Sequence, residues 1–438
     1  MAANQQAGTG YKNRWAQLFV GVLCMAFVAN LQYGWTLFVN PLKDAHPDWT
    51  KAAIQTAFTI FIVVETWLVP VEGWLVDKFG PRPVVGAGAV LVGLAWVLDS
   101  YAQSLPMLYA AAIIGGIGTG CVYGTCVANA LKWFPDKRGL AAGLTAAGFG
   151  AGAAVTVIPI ANMINSSGYA AAFFNFGIIQ GIAIFVLSLF LVKPVVPAGV
   201  KISARVVQAK RNLSMGQMLK TPVFWMTYAM FVAVAAGGLM ATAQLGPIAK
   251  DFGHHSVMMT VFGSTLPLLT MALAIDNIAN GLTRPMCGFI SDRIGRENTM
   301  AIVFTGEALS LIGLLHFGHN PYAFMFFAAM IFMCWGEIFS IFPAICADTF
   351  GGKFAAGNSG ALYTAKGTAS LIVPLASVLS AGGNWSTVFY LAAGITFAAA
   401  MSAKFLLQPY RQRFIAEGNA AVDAEQRAEN QAQYKQAA

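Results

Sequence analysis

The sequence predicts an all-α membrane protein: twelve transmembrane helices forming two pseudo-symmetric six-helix bundles. Three observations point there. The 438-residue chain is 57% hydrophobic and only 10% charged, whereas soluble domains carry about 25% charge. Its apolar residues gather in runs near the ~20 residues that span a bilayer. A pattern around residue 73 returns around residue 288.

The runs cover 15–39, 53–76, 83–100, 106–131, 139–162, 171–192, 222–245, 259–290, 299–315, 322–347, 358–381 and 386–407. They are too long, and too little alternating, for strands of a membrane barrel. No small-residue cleavage site follows the first run, which contains Asn30 and Gln32, so it reads as a retained helix. A polar stretch rich in Lys and Arg separates the sixth and seventh runs. The expected layout is a bundle over 1–193, a cytoplasmic linker over 194–220, a second bundle over 221–407 and a cytoplasmic tail over 408–438.

The net charge of +8 has a topological meaning rather than a nucleic-acid one. An even number of helices puts both termini on one side; with that side cytoplasmic, 21 of the 26 Lys and Arg fall on the cytoplasmic side and only Lys43, Lys51 and Lys250 outside. This is the positive-inside pattern. The last two cations, Arg284 and Lys366, lie within helices.

The six cysteines (24, 121, 126, 287, 334 and 346) sit singly in apolar runs and read as small buried hydrophobes. All five histidines fall in expected outer loops, where the His254-His255 pair reads as solvated rather than as a pH or metal site. Gly115 to Gly120 and Gly148 to Gly152 are glycine-rich inside helices. No strand-turn-helix unit surrounds them, so they read as close helix contacts, not a nucleotide fingerprint.

The internal repeat isolates the chemistry. At an offset of 215, Pro70, Gly73, Asp77, Lys78 and Gly80 fall opposite Pro285, Gly288, Asp292, Arg293 and Gly295. At an offset of 219, Thr145-Ala-Ala-Gly148 falls opposite Thr364-Ala-Lys-Gly367. Arg284 then stands opposite Val69, and Lys366 opposite Ala147. Each cation at mid-membrane costs roughly 2.5–3.5 kcal/mol on an insertion scale and needs compensation. One compensation is a buried carboxylate: Glu65, Glu72, Asp276, Glu307 or Glu337, with Glu337 the foremost rival partner and Asp276 two turns from Arg284, beyond direct contact. The other is a bound anion, with Arg284 presenting a fork and Lys366 a point charge. Gln32, Tyr33, Tyr123, Trp335 and Tyr363 lie several residues inside their runs and are expected around the same cavity.

Gly73-Trp-Leu-Val-Asp77-Lys-Phe-Gly80-Pro-Arg82 and Gly288-Phe-Ile-Ser-Asp292-Arg-Ile-Gly295-Arg296 resemble the duplicated loop signature of the major facilitator superfamily. Asn13-Arg-Trp, Gln32-Tyr-Gly-Trp-Thr, Trp133-Phe-Pro-Asp-Lys-Arg-Gly-Leu-Ala, Asn280-Gly-Leu-Thr-Arg284-Pro and Ala365-Lys366-Gly-Thr-Ala-Ser resemble its oxalate/formate antiporter family. The resemblance implies that Arg284 and Lys366 contact substrate carboxylates, within an aromatic cage of Tyr33, Tyr123 and Trp335 beside Gln32. It also places Phe149, Phe339 and Tyr363 in that cage, where the antiporters carry Tyr, Tyr and Trp; two lost hydroxyls argue against oxalate itself. Proton-coupled monocarboxylate carriers place an aspartate where this chain has Asn280, which cannot titrate; Glu337 is then the candidate proton site.

The expected function is secondary transport of small carboxylate anions by alternating access, as exchange of the oxalate/formate type. The exchange reading assumes that an empty cavity leaves two unpaired cations and resists closure. The alternatives are proton-coupled symport of a monocarboxylate such as lactate or pyruvate, and a carrier-fold anion sensor. Gly73, Asp77, Arg82, Gly288, Asp292 and Arg296 are assigned to the cytoplasmic gate. The expected setting is a bacterial inner membrane, with a monomer, lipid and a small carboxylate, and no cofactor, metal, nucleic acid or enzymatic nucleophile.

Overall fold

A computed structural model describes residues 13–134, 138–193, 209–261, 263–351 and 354–437, nearly all helical. The first apolar run forms α1 (Arg14–Val28), α2 (Asn30–Tyr33) and α3 (Thr36–Ala45), with interruptions at Ala29 and around Gly34. The second forms α4 (Lys51–Trp67), capped by the Thr50 hydroxyl accepting from the Ala53 amide at 3.1 Å, and α5 (Val69–Phe79). Pro70, which has no N–H to give, explains the break at Leu68. The helices α6 (Pro81–Ser100) and α7 (Leu105–Trp133) follow. The fifth and sixth runs join into α8 (Arg138–Ser188), divided only by Gly168 at φ 85°.

After α9 (Met215–Met218), α10 (Pro222–Asp251) is the seventh run. The eighth departs from expectation at its start. Residues 258–267 form an antiparallel hairpin, β1 (Met258–Val261) with β2 (Ser264–Pro267), and the helix α11 (Leu268–Ile294) begins only after it. Gly263 at φ 81° makes the turn, the Thr260 and Thr265 hydroxyls bond across the strands at 2.8 Å, and Pro267 precedes the helix. The remaining runs are α12 (Arg296–Phe317), α13 (Pro321–Gly336) with α14 (Ile338–Phe350), α15 (Ala355–Ser370) with α16 (Val373–Leu379), and α17 (Ser386–Ser402). A π turn, Ala403–Leu407, leads into a tail helix, α18 (Gln408–Ala437).

Among the described residues, nine helical stretches are long and apolar enough to cross a membrane. One of them, Ala141–Ser188, holds both runs joined at Gly168. The α4–α5 pair and α11 fall outside the nine, and these are the helices that carry Glu65, Glu72, Asp276 and Arg284.

The repeat has a backbone counterpart. Gly80 and Gly295, 215 residues apart, adopt φ 88° and φ 91° where α5 turns into α6 and α11 into α12. Any side chain is strained there, so both turns demand glycine.

Two helix pairs join the halves of the chain around its centre: α4 packs on α15, and α8 on α11. The end bearing Lys51 and Lys250 is closed by α3 against α10. There the Gly246 amide donates to Thr36 Oγ1 at 2.7 Å, Gln55 Nε2 donates to the Ala243 carbonyl at 2.7 Å, and Lys51 pairs with Asp251 at 3.6 Å. Toward the other end, the Trp67 indole donates to the Thr364 carbonyl at 3.0 Å.

Of the residues assigned to the gate, Arg296 is buried: its Nε is 3.2 Å from Asp348 Oδ2, and it also donates to Ser291 Oγ. Arg82 is exposed, and a Cβ at Gly288 would meet open space. Gly73 lies within α5, and the side chains of Asp77 and Asp292 lie outside the described residues. The tail helix is tied down by Arg411 to Glu297 at 2.6 Å and by Asp423 to Lys210 at 2.6 Å.

Candidate functional site

The two helix pairs deliver two cations to one aromatic ring. The Arg284 guanidinium, from α11, lies 4.4 Å from the centre of Phe339, and the Lys366 ammonium, from α15, lies 5.7 Å from it. Both cations are 0% exposed. Lys366 also lies 5.6 Å from the Phe149 ring and 5.5 Å from the Tyr363 ring. Tyr123 stacks on Tyr363 at 5.4 Å; Tyr33 touches Phe149 at 5.6 Å and Trp335 at 6.1 Å. The nine residues assigned to a substrate site, Arg284, Lys366, Gln32, Tyr33, Tyr123, Phe149, Trp335, Phe339 and Tyr363, thus form one cluster.

Arg284 is held by neutral groups. Its Nη2 donates to Asn280 Oδ1 at 2.8 Å and to the Tyr33 hydroxyl at 3.0 Å. Asn280, one turn earlier on α11, is fixed in turn by donating Nδ2 to the Phe332 carbonyl at 3.0 Å. Gly150 of α8 makes room: a Cβ there would stand 2.7 Å from Asn280 Oδ1 and 2.9 Å from Arg284 Nε. The remaining nitrogens of the fork, Nε and Nη1, are buried with no hydrogen-bond partner among the described residues, as are Gln32 Nε2 and Trp335 Nε1.

Lys366 is held by a charge. Its Nζ lies 2.9 Å and 3.2 Å from the two carboxylate oxygens of Glu65 and donates to Gln32 Oε1 at 2.8 Å. The Tyr363 hydroxyl stands at 3.4 Å. Lys366 and Glu65 have 0% exposed side chains, and such a pair must recover by geometry the several kcal/mol per ion lost on leaving water. Here four acceptor oxygens, two of them on Glu65, surround one ammonium.

These contacts correct two expectations. The carboxylate that neutralises a site cation is Glu65, not Glu337. The picture of two unpaired cations also fails for Lys366, and holds for Arg284 only in that no carboxylate is bound to it. Glu337, between α13 and α14, is fully buried, but its carboxylate has no hydrogen-bond partner among the described residues. Its electrostatic neighbours are Glu307, Cys287 and Cys334. Glu72, Asp276 and Glu307 are likewise buried without such partners.

Sequence reasoning left Glu65 among five candidate carboxylates, behind Glu337, and gave Asn280 no contact role. A signal for both was present: Glu65 and Asn280 stand opposite each other at the 215-residue offset, and Asn280 precedes Arg284 by one helical turn.

The sequence profile of the Major Facilitator Superfamily matches residues 22–275 and 255–421. The chain is 36% identical over 401 residues to the oxalate:formate antiporter of Oxalobacter formigenes, covering 90% of this chain and 92% of that one. It is 26% identical over 364 residues to an uncharacterised MFS-type transporter of Escherichia coli, covering 82% and 86%. It is also 26% identical over 307 residues to human monocarboxylate transporter 11, covering 67% and 61%. A family profile spanning most of the chain, and a relative similar along nine-tenths of it, place this multi-pass membrane protein in the Major Facilitator Superfamily.

Proposed function

We propose that this chain carries small carboxylate anions across a bacterial inner membrane by alternating access, with Arg284 and Lys366 as the anion site and exchange of the oxalate/formate type as its mode. The observation that carries this reading is the group of buried donors without partners: Arg284 Nε and Nη1, Gln32 Nε2 and Trp335 Nε1. A buried donor left unmade costs about 1–3 kcal/mol. A carboxylate among these four would satisfy several of them at once, with charge-assisted bonds to Arg284. The likeness to an oxalate:formate antiporter supports the exchange mode.

In this scheme the 1–193 and 221–407 halves rock about the site, with both termini cytoplasmic. The duplicated turns at Gly80 and Gly295 and the Arg296-Asp348 pair belong to the cytoplasmic gate.

A second reading, proton-coupled uptake of a monocarboxylate, is favoured by the Lys366-Glu65 pair: an ionised Glu65 leaves the three charged side chains at +1, which one monoanion balances. The test is counterflow of labelled formate, oxalate, lactate and pyruvate in proteoliposomes. Saturable uptake that needs an internal carboxylate supports exchange. Uptake into anion-free vesicles driven by a pH gradient supports symport, and no flux of any carboxylate overturns the substrate class.

A further inference from the structure

We propose that Glu65 is an internal counter-anion that decides, by taking up one proton, whether the site accepts a monoanion or a dianion, so that a dianion is bound together with a proton. The inference rests on the carboxylate reading of the Arg284-Lys366 site.

With Glu65 ionised, Lys366 is already satisfied by two carboxylate oxygens and Gln32. Of the two cations, Arg284 is then the one with donors lacking partners among the described residues, Nε and Nη1. A monoanion binds there, and the charges of Arg284, Lys366, Glu65 and the ligand sum to zero. A dianion needs Lys366 for its second carboxylate and must displace Glu65. A displaced ionised Glu65 would stand buried, unpaired and close to two new negative charges, a situation costing several kcal/mol. Glu65 therefore leaves Lys366 as the neutral acid, having taken one proton from solution. Arg284, Lys366 and the dianion again sum to zero.

The surroundings of Glu65 leave it as the group that titrates. Facing it are Lys366 and Tyr363 from α15, Tyr33 from α2 and Tyr123 from α7, with Arg284 beyond Lys366. Glu72 interacts with it from α5. The charged groups of α3, Lys43 and Asp44, stand toward the outer end, where Asp44 pairs with Lys250 at 3.4 Å. Among the described residues Glu65 is the carboxylate bonded to a site cation. Glu72 makes no hydrogen bond to the cluster among the described residues and touches neither cation. One consequence is that exchange of a dianion for a monoanion moves no net charge, because the proton travels with the dianion.

The experiment measures Kd for oxalate and for formate by calorimetry on the purified full-length carrier, wild type and Glu65→Gln, between about pH 5.5 and 8. Over that range both free anions stay ionised, since carboxyl pKa values lie near about 4. In the wild type, oxalate affinity falls by about tenfold per pH unit where Glu65 is ionised in the empty carrier, and formate affinity stays flat. Glu65→Gln, neutral at every pH, binds oxalate without a pH slope.

If Glu65→Gln does not fold, wild-type proteoliposomes loaded with a pH-sensitive dye give the same answer. One proton enters with each oxalate exchanged for formate, and the rate ignores an imposed membrane potential. A pH-independent oxalate Kd, the same slope in Glu65→Gln, or exchange that responds to potential without proton movement overturns the proposal and leaves the carboxylate reading standing. Absence of binding by both anions overturns the two together.

Discussion

Glu65 and Asn280 stand 215 residues apart, at equivalent points of the two halves, and each holds one of the two buried cations: Glu65 binds Lys366 at 2.9 Å and Asn280 binds Arg284 at 2.8 Å. The duplicated scaffold therefore supplies two cradles, one built on a carboxyl group and one on an amide. That difference leaves Arg284 with unused donors and Lys366 without them.

Removing one partner of the charged cradle strands the other. Lys366→Ala is expected to lower stability by about 3–5 kcal/mol, because it leaves Glu65 buried and unpaired. Adding Glu65→Leu to it restores most of the loss without restoring transport. Melting temperatures in detergent, read beside flux in proteoliposomes, check both statements. A double variant no more stable than Lys366→Ala would show that the pair is not the source of the loss.

Arg284→Lys keeps the charge and removes the fork. A lysine cannot reach Asn280 and Tyr33 while also offering two parallel donors, so carboxylate affinity is expected to drop at least about tenfold, or ~1.4 kcal/mol, with near-normal insertion and melting. Calorimetric titration of the purified variant is the measurement. Unchanged affinity would mean that Arg284 acts only as a point charge.

Much of this was legible in the sequence. The helical membrane architecture follows from hydropathy, because lipid tolerates few other arrangements. The Gly80 and Gly295 turns follow from the repeat, and the convergence of Arg284 and Lys366 from their common lack of an echo. What stayed hidden depends on contacts between helices distant in the chain. Composition could not separate Glu65, which finds Lys366 across 301 residues, from Glu337, which finds no hydrogen-bond partner among the described residues. The 258–267 hairpin was missed because a short apolar stretch has no periodicity that distinguishes strand from helix.

Gly150→Ala tests the close approach of α8 to the arginine. The new methyl would lie 2.7 Å from Asn280 Oδ1 and 2.9 Å from Arg284 Nε, so one of them must move. Transport is expected to fall by an order of magnitude or more, since a misplacement of about 1 Å at a site can cost about 100-fold. The protein should still reach the membrane. Normal kinetics in this variant would place Arg284 farther from α8.

The paired turns make a symmetric prediction. Gly80→Ala and Gly295→Ala each place a Cβ at φ near 90° and should each cost roughly 1–2 kcal/mol. Because they sit in separate halves, their effects should add. Melting of the two single variants and the double variant measures this, and a silent substitution at either turn would refute the shared backbone requirement.

The central claim is that Arg284 and Lys366 together hold the carboxylate in transit. Its most direct test is counterflow of labelled formate and oxalate in proteoliposomes containing wild type, Arg284→Ala or the double variant Lys366→Ala with Glu65→Leu, each matched for inserted protein. Saturable counterflow by the wild type and loss of at least about 30-fold in both variants is the expected result, ~2 kcal/mol for each lost charge-assisted contact. Wild-type rates in either correctly inserted variant would contradict it.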